Sequence, residues 1–326
     1  MAVRVSPAEE KDNEKAEKFS YRILNWKEYN RALIQRGSLT FWFEESVIAG
    51  WYHQKKTGKP GANNYYSDAA ISCGLILREV FHLALRQTQG VVSSILALMG
   101  LPLDCPNYTT FGRRQKGLSL PLPRQRGKEP LHVVVDSTGL KVYGDGEWKV
   151  RTHGASKRRT WRKLHLAVDT ATHEILSLIL TTNARADKEV FGELMEAIEE
   201  PLEQISADGA YDTFPTYALA RGKGARLVVP PQENAVLKDP EFLEGEPPLR
   251  DEHLRAIQSL GKPAWKIQEG YHRRSLVETA MFRLKTSFGG HLKNRNFDHQ
   301  RTESLMKGIA LNKMTQLGMP LSYQVF

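Results

Sequence analysis

Three carboxylates stand where neighbouring elements could bring them together. Asp136 ends the apolar run His132–Val135, and Asp208 follows a short apolar run that ends at Ala207. Glu278 lies within the last long helical pattern. Each of these residues alone is most simply a turn, cap or surface residue. Mg²⁺ prefers oxygen ligands, and phosphodiester chemistry uses two such ions ~3.5 to 4 Å apart, held by convergent carboxylates. As a set, the three carboxylates therefore indicate a metal site.

A second pattern, Y-x2-R-x3-E-x6-K, surrounds the last of these carboxylates. It is formed by Tyr271, Arg274, Glu278 and Lys285. At ~100° per residue the four positions fall within a stripe of ~60°, so one helix would present them on one face. The opposite side offers apolar residues for burial. A solvated charged face is the plain alternative, but a carboxylate beside two cations fits a site that binds metal and phosphate together.

The elements that must position these residues form a mixed α/β pattern. β-branched and alternating runs predict three neighbouring antiparallel strands, followed by alternating helices and strands and by a final helix from about Tyr271. The predicted order is therefore βββαβαβ, with a five-stranded sheet. The predicted elements are strands Leu131–Val135, Arg162–Val168 and Ile175–Thr181, helix Asp187–Glu200, strand Gln204–Ala207, helix Phe214–Arg221 and strand Ala225–Pro230.

The chain before this pattern has a helical texture. Residues 21–120 predict several helices, one of which begins after Ser67, and the last two resemble a helix-turn-helix unit. Arg113 and Arg114 on the last of these helices are candidate DNA contacts. Residues 1–20 predict a disordered arm and the proline-rich residues 121–130 a linker. Residues 131–326 would then be the catalytic domain, with a short acidic insertion at about 231–265.

Basic residues are concentrated between the first two predicted strands. From Lys141 to Lys163 there are eight Lys and Arg against two acids, with tryptophans interleaved. Solvated hairpin charge is one explanation, and contact with a DNA backbone is the other. The candidates for such contact are Arg158, Arg159, Arg162 and Lys163.

Composition narrows the class of protein. The 326 residues carry a formal charge of +9, which favours a nucleic-acid partner without proving one. The two cysteines have no C-x-x-C spacing, which argues against a disulfide scaffold or a thiolate zinc site. Apolar runs are too short to span a bilayer, and no export signal or Gly-rich nucleotide loop is evident. We therefore expect a cytoplasmic protein without a nucleotide cofactor.

Three runs of the sequence resemble a known family. Y-H-R-R-S-L-V-E-T-A-M-F-R-L-K, V-V-V-D-S-T-G-L-K and S-A-D-G-A-Y-D are similar to motifs of bacterial insertion-sequence DDE transposases that carry a Tyr-Arg-Glu-Lys motif. The branch they best resemble is the one called IS-five, within the IS-four and IS-five group. The resemblance covers roughly residues 21–320. It implies an RNase H-like core and a bacterial, nucleoid-associated protein.

The resemblance also assigns roles to individual residues. It implies that Asp136, Asp208 and Glu278 bind two Mg²⁺ ions, with Mn²⁺ as a possible substitute. It implies further that Tyr271, Arg274 and Lys285 hold DNA near the end of the mobile element.

The function expected from these motifs is DNA transposition. The protein would bind the terminal inverted repeats of its insertion sequence, cleave DNA and transfer strands to target DNA, as a homodimer or larger synaptic assembly. Two alternatives stay open. One is an RNase H-like nuclease without strand transfer, and the other is a DNA-binding regulator descended from a transposase.

Overall fold

The computed structural model describes residues 20–53, 65–127, 129–142, 161–232, 234–237 and 249–325. The described helices are α1 (Trp26–Gln35), α2 (Leu39–Trp42), α3 (Glu45–Ala49), α4 (Asp68–Val80), α5 (Leu85–Leu98), α6 (Tyr108–Arg114), α7 (Asp187–Glu196), α8 (Phe214–Gly222), α9 (Leu249–Leu260), α10 (Lys262–Gln268), α11 (Ser275–Phe288) and α12 (Phe297–Leu317). The strands are β1 (Ser20–Ile23), β2 (Leu131–Val142), β3 (Trp161–Asp169), β4 (Ile175–Thr182), β5 (Leu202–Ser206), β6 (Arg226–Val228), β7 (His291–Leu292) and β8 (Ser322–Val325). Short 3₁₀ helices span Gly209–Tyr211 and Tyr271–Arg274.

A mixed sheet forms the centre of the molecule, with strand order β4-β3-β2-β5-β6. β3 is antiparallel to both β2 and β4, whereas β5 is parallel to β2 and β6 is parallel to β5. This is the predicted βββαβαβ order, with three antiparallel strands followed by two parallel ones. The predicted count of five strands was wrong, because the short β7 pairs in parallel with the end of β2 and makes a sixth.

β2 is the central strand and is longer than predicted. Val133, Val134 and Val135 are completely buried, as expected of a strand covered on both faces. The strand was predicted to end at Val135 because Ser137 and Gly139 interrupt the apolar run. β3 pairs with β2 as far as Lys141, so Asp136 lies within the strand and not at its end.

Helices cover both faces of the sheet. α7 and α8 contribute to one apolar cluster, which contains Val133 and Val135. α11 and α12 pack on the other face, where Val134 and Leu140 point. Alternation along a strand sends Asp136 and Thr138 to this same second face. The face that carries α11 is therefore the face on which chemistry can be arranged.

The helices before the proline-rich linker join this second cluster. Buried residues of α2, α4, α5 and α6 share it with α11 and α12, so residues 21–120 and 131–326 are joined by one continuous core. A buried ion pair marks the contact. Lys307 on α12 donates to Glu303 at 2.8 Å, and its ammonium lies 3.9 Å from Glu79 on α4. All three side chains are almost completely buried, which fixes the mutual position of the two helices.

The predicted final helix is divided into pieces. Gly270, in the left-handed region at φ 60°, precedes the 3₁₀ helix Tyr271–Arg274, and α11 begins only at Ser275. Gly289, at φ 81°, ends α11. Because these backbone conformations favour glycine, they interrupt the helical pattern at both ends of α11. Tyr271 and Arg274 therefore do not lie on the α-helix that carries Glu278 and Lys285.

Other differences from the sequence predictions concern the insertion and the edges of the molecule. The described part of 231–265 contains α9 and the start of α10, whose Trp265 is completely buried, so it is helical rather than only a loop. β1 and β8 form a two-stranded antiparallel sheet that was not predicted. Of the predicted disordered arm, residues 1–19 lie outside the described residues. No helix in the described ranges is long and apolar enough to cross a membrane.

Candidate active site

Asp136 lies on β2, and Asp208 lies two residues beyond the end of β5, the neighbouring parallel strand. In the register of β2 and β5, Val134 is opposite Ser206, and each aspartate lies two residues beyond that pair. The Asp208 carboxylate accepts a 3.0 Å hydrogen bond from the amide of Ala210 and so caps the 3₁₀ helix that follows. The fold thus holds two carboxylates at the same edge of β5.

The electrostatic setting of Asp136 is unfavourable for a lone carboxylate. Its side chain is half-buried, and Oδ1 accepts a 2.7 Å hydrogen bond from the amide of Ser137. Burial raises the pKa of Asp136, and the charge of Asp208 raises it further, against the opposing effect of Arg274. A positive charge at this position would stabilise the ionised pair.

Arg274 connects Asp136 to Glu278. Its Nη1 donates to Asp136 Oδ2 at 3.0 Å, and its Nη2 donates to Glu278 Oε1 one helical turn further on. Burial opposes the charge of the guanidinium, but Tyr271, Asp136 and Glu278 around it raise the pKa of Arg274 above its ordinary value. The three carboxylates found by spacing are thus brought to one region, with an arginine between two of them.

These residues have the chemistry of a divalent-metal site. The donor oxygens come from two half-buried aspartates and from a glutamate whose side chain is 54% exposed, and hard oxygen donors suit Mg²⁺. Among the described residues, however, no three Asp, Glu, His or Cys side chains form a ready metal cluster. Arg274 occupies an oxygen of Asp136 and an oxygen of Glu278. The donor set fits a metal ion once those contacts are exchanged.

Tyr271 has a different position from the one that the helix stripe predicted. It is buried, its ring lies 5.4 Å from that of Trp265, and its hydroxyl donates to the carbonyl of Ala207 at 3.1 Å. Burial raises the pKa of Tyr271 to about 12, so the hydroxyl stays a donor at neutral pH. In this structure Tyr271 fixes the backbone next to Asp208, and its contact with DNA stays a prediction.

Lys285 lies on the same side of the sheet as Asp136. Its Nζ donates a 2.6 Å hydrogen bond to Oγ1 of Thr138, which is two residues beyond Asp136 on β2. Two residues of a strand span about 7 Å, and the seven residues from Glu278 to Lys285 span about 10 Å of helix. The ammonium is therefore too far to share a metal ion but close enough for a neighbouring phosphate.

The remaining predicted DNA contacts fall into three groups. Arg113 is exposed on α6, as DNA contact requires. Arg114 is bonded to the Tyr66 carbonyl at 2.8 Å and paired with Asp68, so it connects α6 to the start of α4, and its role in DNA binding stays a prediction. Arg158 and Arg159 lie outside the described residues.

Two basic residues of β3 project to opposite faces of the sheet. Arg162 bonds Gln300 at 2.9 Å and lies over the ring of Phe297, on the face that carries Asp136. Lys163 pairs with Asp187 at 3.2 Å on the α7 side. Strand alternation thus turns Lys163 away from the face that carries Asp136, and its contact with DNA stays a prediction.

Sequence reasoning missed two residues near the carboxylates. Thr138 holds Lys285, and the i, i+2 spacing from Asp136 could have indicated a shared strand face. Phe282 is 70% exposed and lies one turn after Glu278 and one turn before Lys285 on α11. The signal in the sequence was the apolar Phe282 within the polar stripe that contains Glu278 and Lys285.

Comparison with protein families places the chain in a class. Two family models, each described as a transposase DDE domain, match residues 34–145 and 127–313. The second covers more than half of the chain, including all three carboxylates. The chain belongs to the transposases with a DDE domain.

Solved structures with some likeness to the chain include three nucleoprotein assemblies. A cryo-EM structure of the piggyBac transposase synaptic complex with hairpin DNA is 12% identical, covering 86% of this chain and 75% of that one, with a TM-score of 0.39. A Drosophila P element transposase strand transfer complex is 10% identical, covering 85% of both chains, with a TM-score of 0.29. A simian T-cell lymphotropic virus intasome is 16% identical, covering 69% and 70%, with a TM-score of 0.23. All three scores are below 0.5, so these likenesses carry no weight for the site.

Proposed function

We propose that this chain is the transposase of an insertion sequence of the IS-five type, which binds the terminal inverted repeats of its element, cleaves DNA and transfers the strands to a target. The main support is the convergence of Asp136, Asp208 and Glu278 beside Arg274 within a transposase DDE domain. The carboxylates come from the central strand β2, from the turn that follows the neighbouring parallel strand β5, and from α11. That is the donor arrangement that metal-dependent phosphodiester chemistry needs.

In this proposal Asp136, Asp208 and Glu278 hold two Mg²⁺ ions, or Mn²⁺ in their place. Bound ions would activate a water or a DNA 3′-hydroxyl and stabilise the leaving oxygen. The chain itself contributes charge and position. Tyr271 fixes the backbone before Asp208, and its buried hydroxyl remains a donor. No side-chain nucleophile is required, so we expect no covalent link between protein and DNA.

The cations around the carboxylates fit a DNA strand. Lys285 on α11 is bonded to Thr138, which lies about 7 Å along β2 from Asp136, a spacing that suits a phosphate next to the one being cleaved. Arg274 presents a planar guanidinium, which binds phosphate as readily as carboxylate. Both residues would contact the backbone and leave sequence recognition to other parts of the chain.

Recognition of the terminal repeat is assigned to the helical residues 21–120. Arg113 is the candidate there, because it is exposed near the end of α6 while Arg114 is used within the fold. The net charge of +9 supports a polyanionic partner. Joining two element ends to one target requires two active sites, so a homodimer or larger assembly is expected.

The proposal is tested with the DNA that flanks the gene for this chain. Full-length protein is incubated with labelled duplexes from the two candidate element ends, Mg²⁺ and a supercoiled target plasmid, and the products are separated on denaturing gels. Transposition predicts cleavage at the element end and joined products with the plasmid. Cleavage without joining would favour a nuclease. Specific binding of the ends with no cleavage in Mg²⁺ or Mn²⁺ would favour a regulator, and either result would overturn the proposal.

A further inference from the structure

Arg274 has the position that a cation between two metal-binding carboxylates would take. It links Asp136 on β2 at 3.0 Å with Glu278 on α11, and its own side chain is only 21% exposed. The second oxygen of Asp136 is occupied by the amide of Ser137. Both oxygens of Asp136 and one of Glu278 are therefore engaged.

We propose that Arg274 is a positioning residue that couples metal binding to DNA binding. In the DNA-free protein its guanidinium holds Asp136 and Glu278 together and competes with a divalent ion for their oxygens. When DNA binds, a backbone phosphate takes the guanidinium, and the carboxylates become free to bind metal. This inference rests on the proposed function, because it takes the carboxylates as metal ligands and DNA as the substrate.

The first step follows from charge. Asp136 and Asp208 are half-buried carboxylates of like charge, and the charge of Asp208 opposes ionisation of Asp136. A buried carboxylate pair needs a compensating cation, which Arg274 supplies with two directed hydrogen bonds. A metal ion entering the same place has to break at least one of those bonds.

The second step follows from the freedom of Glu278. Its side chain is 54% exposed, whereas that of Asp136 is 18% exposed, so the glutamate end of the bridge lies toward solvent. Glu278 can therefore change rotamer without disturbing the core. A phosphate approaching from solvent would meet the guanidinium on this side, and guanidinium binds phosphate in the same two-point manner as carboxylate.

The coupling is reciprocal. If DNA withdraws Arg274 from the carboxylates, DNA must tighten metal binding, and metal must tighten DNA binding by the same factor. A residue that only stabilised the fold, or only attracted DNA, would not give this result. If Arg274 had only one of those two roles, its loss would weaken metal binding or leave it unchanged in the DNA-free protein.

The test measures Mn²⁺ binding to full-length protein without DNA, by titration calorimetry and by electron paramagnetic resonance of free Mn²⁺. The variants are Arg274→Ala and Arg274→Gln. Asp136→Asn reports on the site itself. Arg273→Ala is the matched control, because it removes the same charge from the adjacent exposed position, for which no ion pair is found among the described residues. Thermal unfolding in a chelator checks that each variant is folded.

We expect Arg274→Ala and Arg274→Gln to bind Mn²⁺ roughly tenfold more tightly than wild type, within the usual range of coupling between sites. Arg273→Ala should change the Mn²⁺ affinity less than twofold. Adding duplex DNA from the element end should tighten Mn²⁺ binding to wild type and leave the Arg274 variants nearly unchanged.

Two failures can be told apart. If Asp136→Asn binds Mn²⁺ as well as wild type, the carboxylates are not the metal site and the proposed function fails. If Asp136→Asn loses Mn²⁺ but folded Arg274→Ala or Arg274→Gln binds it no more tightly than wild type, the metal site stands and the role of Arg274 is overturned. If Arg274→Ala does not fold, Arg274→Gln alone decides, since it keeps a polar side chain with a hydrogen-bond donor but no charge.

Discussion

Replacing Lys285 by alanine should remove one phosphate contact and leave the metal site intact. The ammonium of Lys285 is held by Thr138, about 7 Å along the strand from Asp136 and about 10 Å along α11 from Glu278. At these distances it cannot share a metal ion with either carboxylate. One charge-assisted hydrogen bond contributes ~1.5 to 3 kcal/mol, so the affinity for DNA ends should fall roughly ten- to a hundredfold at low salt.

The assay is DNA binding as a function of salt, with Ca²⁺ in place of Mg²⁺ to prevent cleavage. Each neutralised phosphate contributes about 0.9 to the slope of log affinity against log salt concentration, so Lys285→Ala should reduce the steepness by about 0.9. Lys285→Arg should keep the slope, because it keeps the charge. Mn²⁺ binding in the DNA-free protein should not fall in either variant.

Thr138→Val is the matched control for this experiment. It removes the hydroxyl that accepts from Lys285 but keeps the shape of the side chain and the ammonium charge. The salt slope should therefore equal that of wild type, while the affinity falls by a few fold at most, since a net hydrogen bond contributes ~1 kcal/mol. An unchanged slope in Lys285→Ala would refute the assignment of Lys285 to a phosphate.

Three further predictions concern other regions. Arg113→Ala should weaken binding of the element end with little change in the melting temperature, whereas Arg114→Ala should lower the melting temperature, because Arg114 connects α6 to α4. Melting and binding curves of both variants test this. A lower melting temperature in Arg113→Ala and weaker DNA binding with unchanged melting in Arg114→Ala would contradict it. Phe282→Ala should weaken DNA binding about fivefold or more without destabilising the fold, since stacking on a base contributes ~1 to 3 kcal/mol and the ring is 70% exposed. Phe282→Trp should bind DNA as wild type does. Equal binding by wild type, Phe282→Ala and Phe282→Trp would exclude a DNA contact. Burial lowers the pKa of His165 to about 4, so below pH 6.5 the unfolded chain takes up a proton that the folded chain does not. The free energy of unfolding should therefore fall between about pH 6.5 and pH 4. His165→Gln should reduce that fall by up to about 3 kcal/mol in denaturant titrations, and an identical pH dependence in wild type and variant would contradict the assignment.

Much of the sheet could be predicted because its strands are buried on both faces. The apolar runs at Leu164–Val168 and Ile175–Leu180 coincide with β3 and β4, where the side chains are largely buried. The end of β2 could not be found in this way. Beyond Val135 the strand continues through pairing with β3 and β7, which are distant in sequence, and local β propensity does not report such pairing.

The sequence predicts the residues of the candidate site but not their arrangement. Asp136, Asp208 and Glu278 were found because strand ends and one helix stripe are visible in the sequence. The stripe failed at Tyr271, which is buried against Trp265, because the 3₁₀ helix that follows Gly270 changes the rotation per residue. The ion pairs of Arg114 and Lys163 could not be predicted from the sequence either, because tertiary packing alone brings their partners Asp68 and Asp187 close to them.

The most direct measurement of the central claim compares cleavage and binding in Asp136→Asn, Asp208→Asn and Glu278→Gln. Each change removes a metal-binding charge and keeps the side-chain shape, so without divalent ions the labelled element end should still be bound within a few fold of wild type. Cleavage in Mg²⁺ should be lost in all three, by at least about a thousandfold, because the metal ions supply several kcal/mol of transition-state stabilisation. Cleavage near the wild-type rate in any one folded variant would remove that residue from the site and contradict the assignment of a three-carboxylate centre.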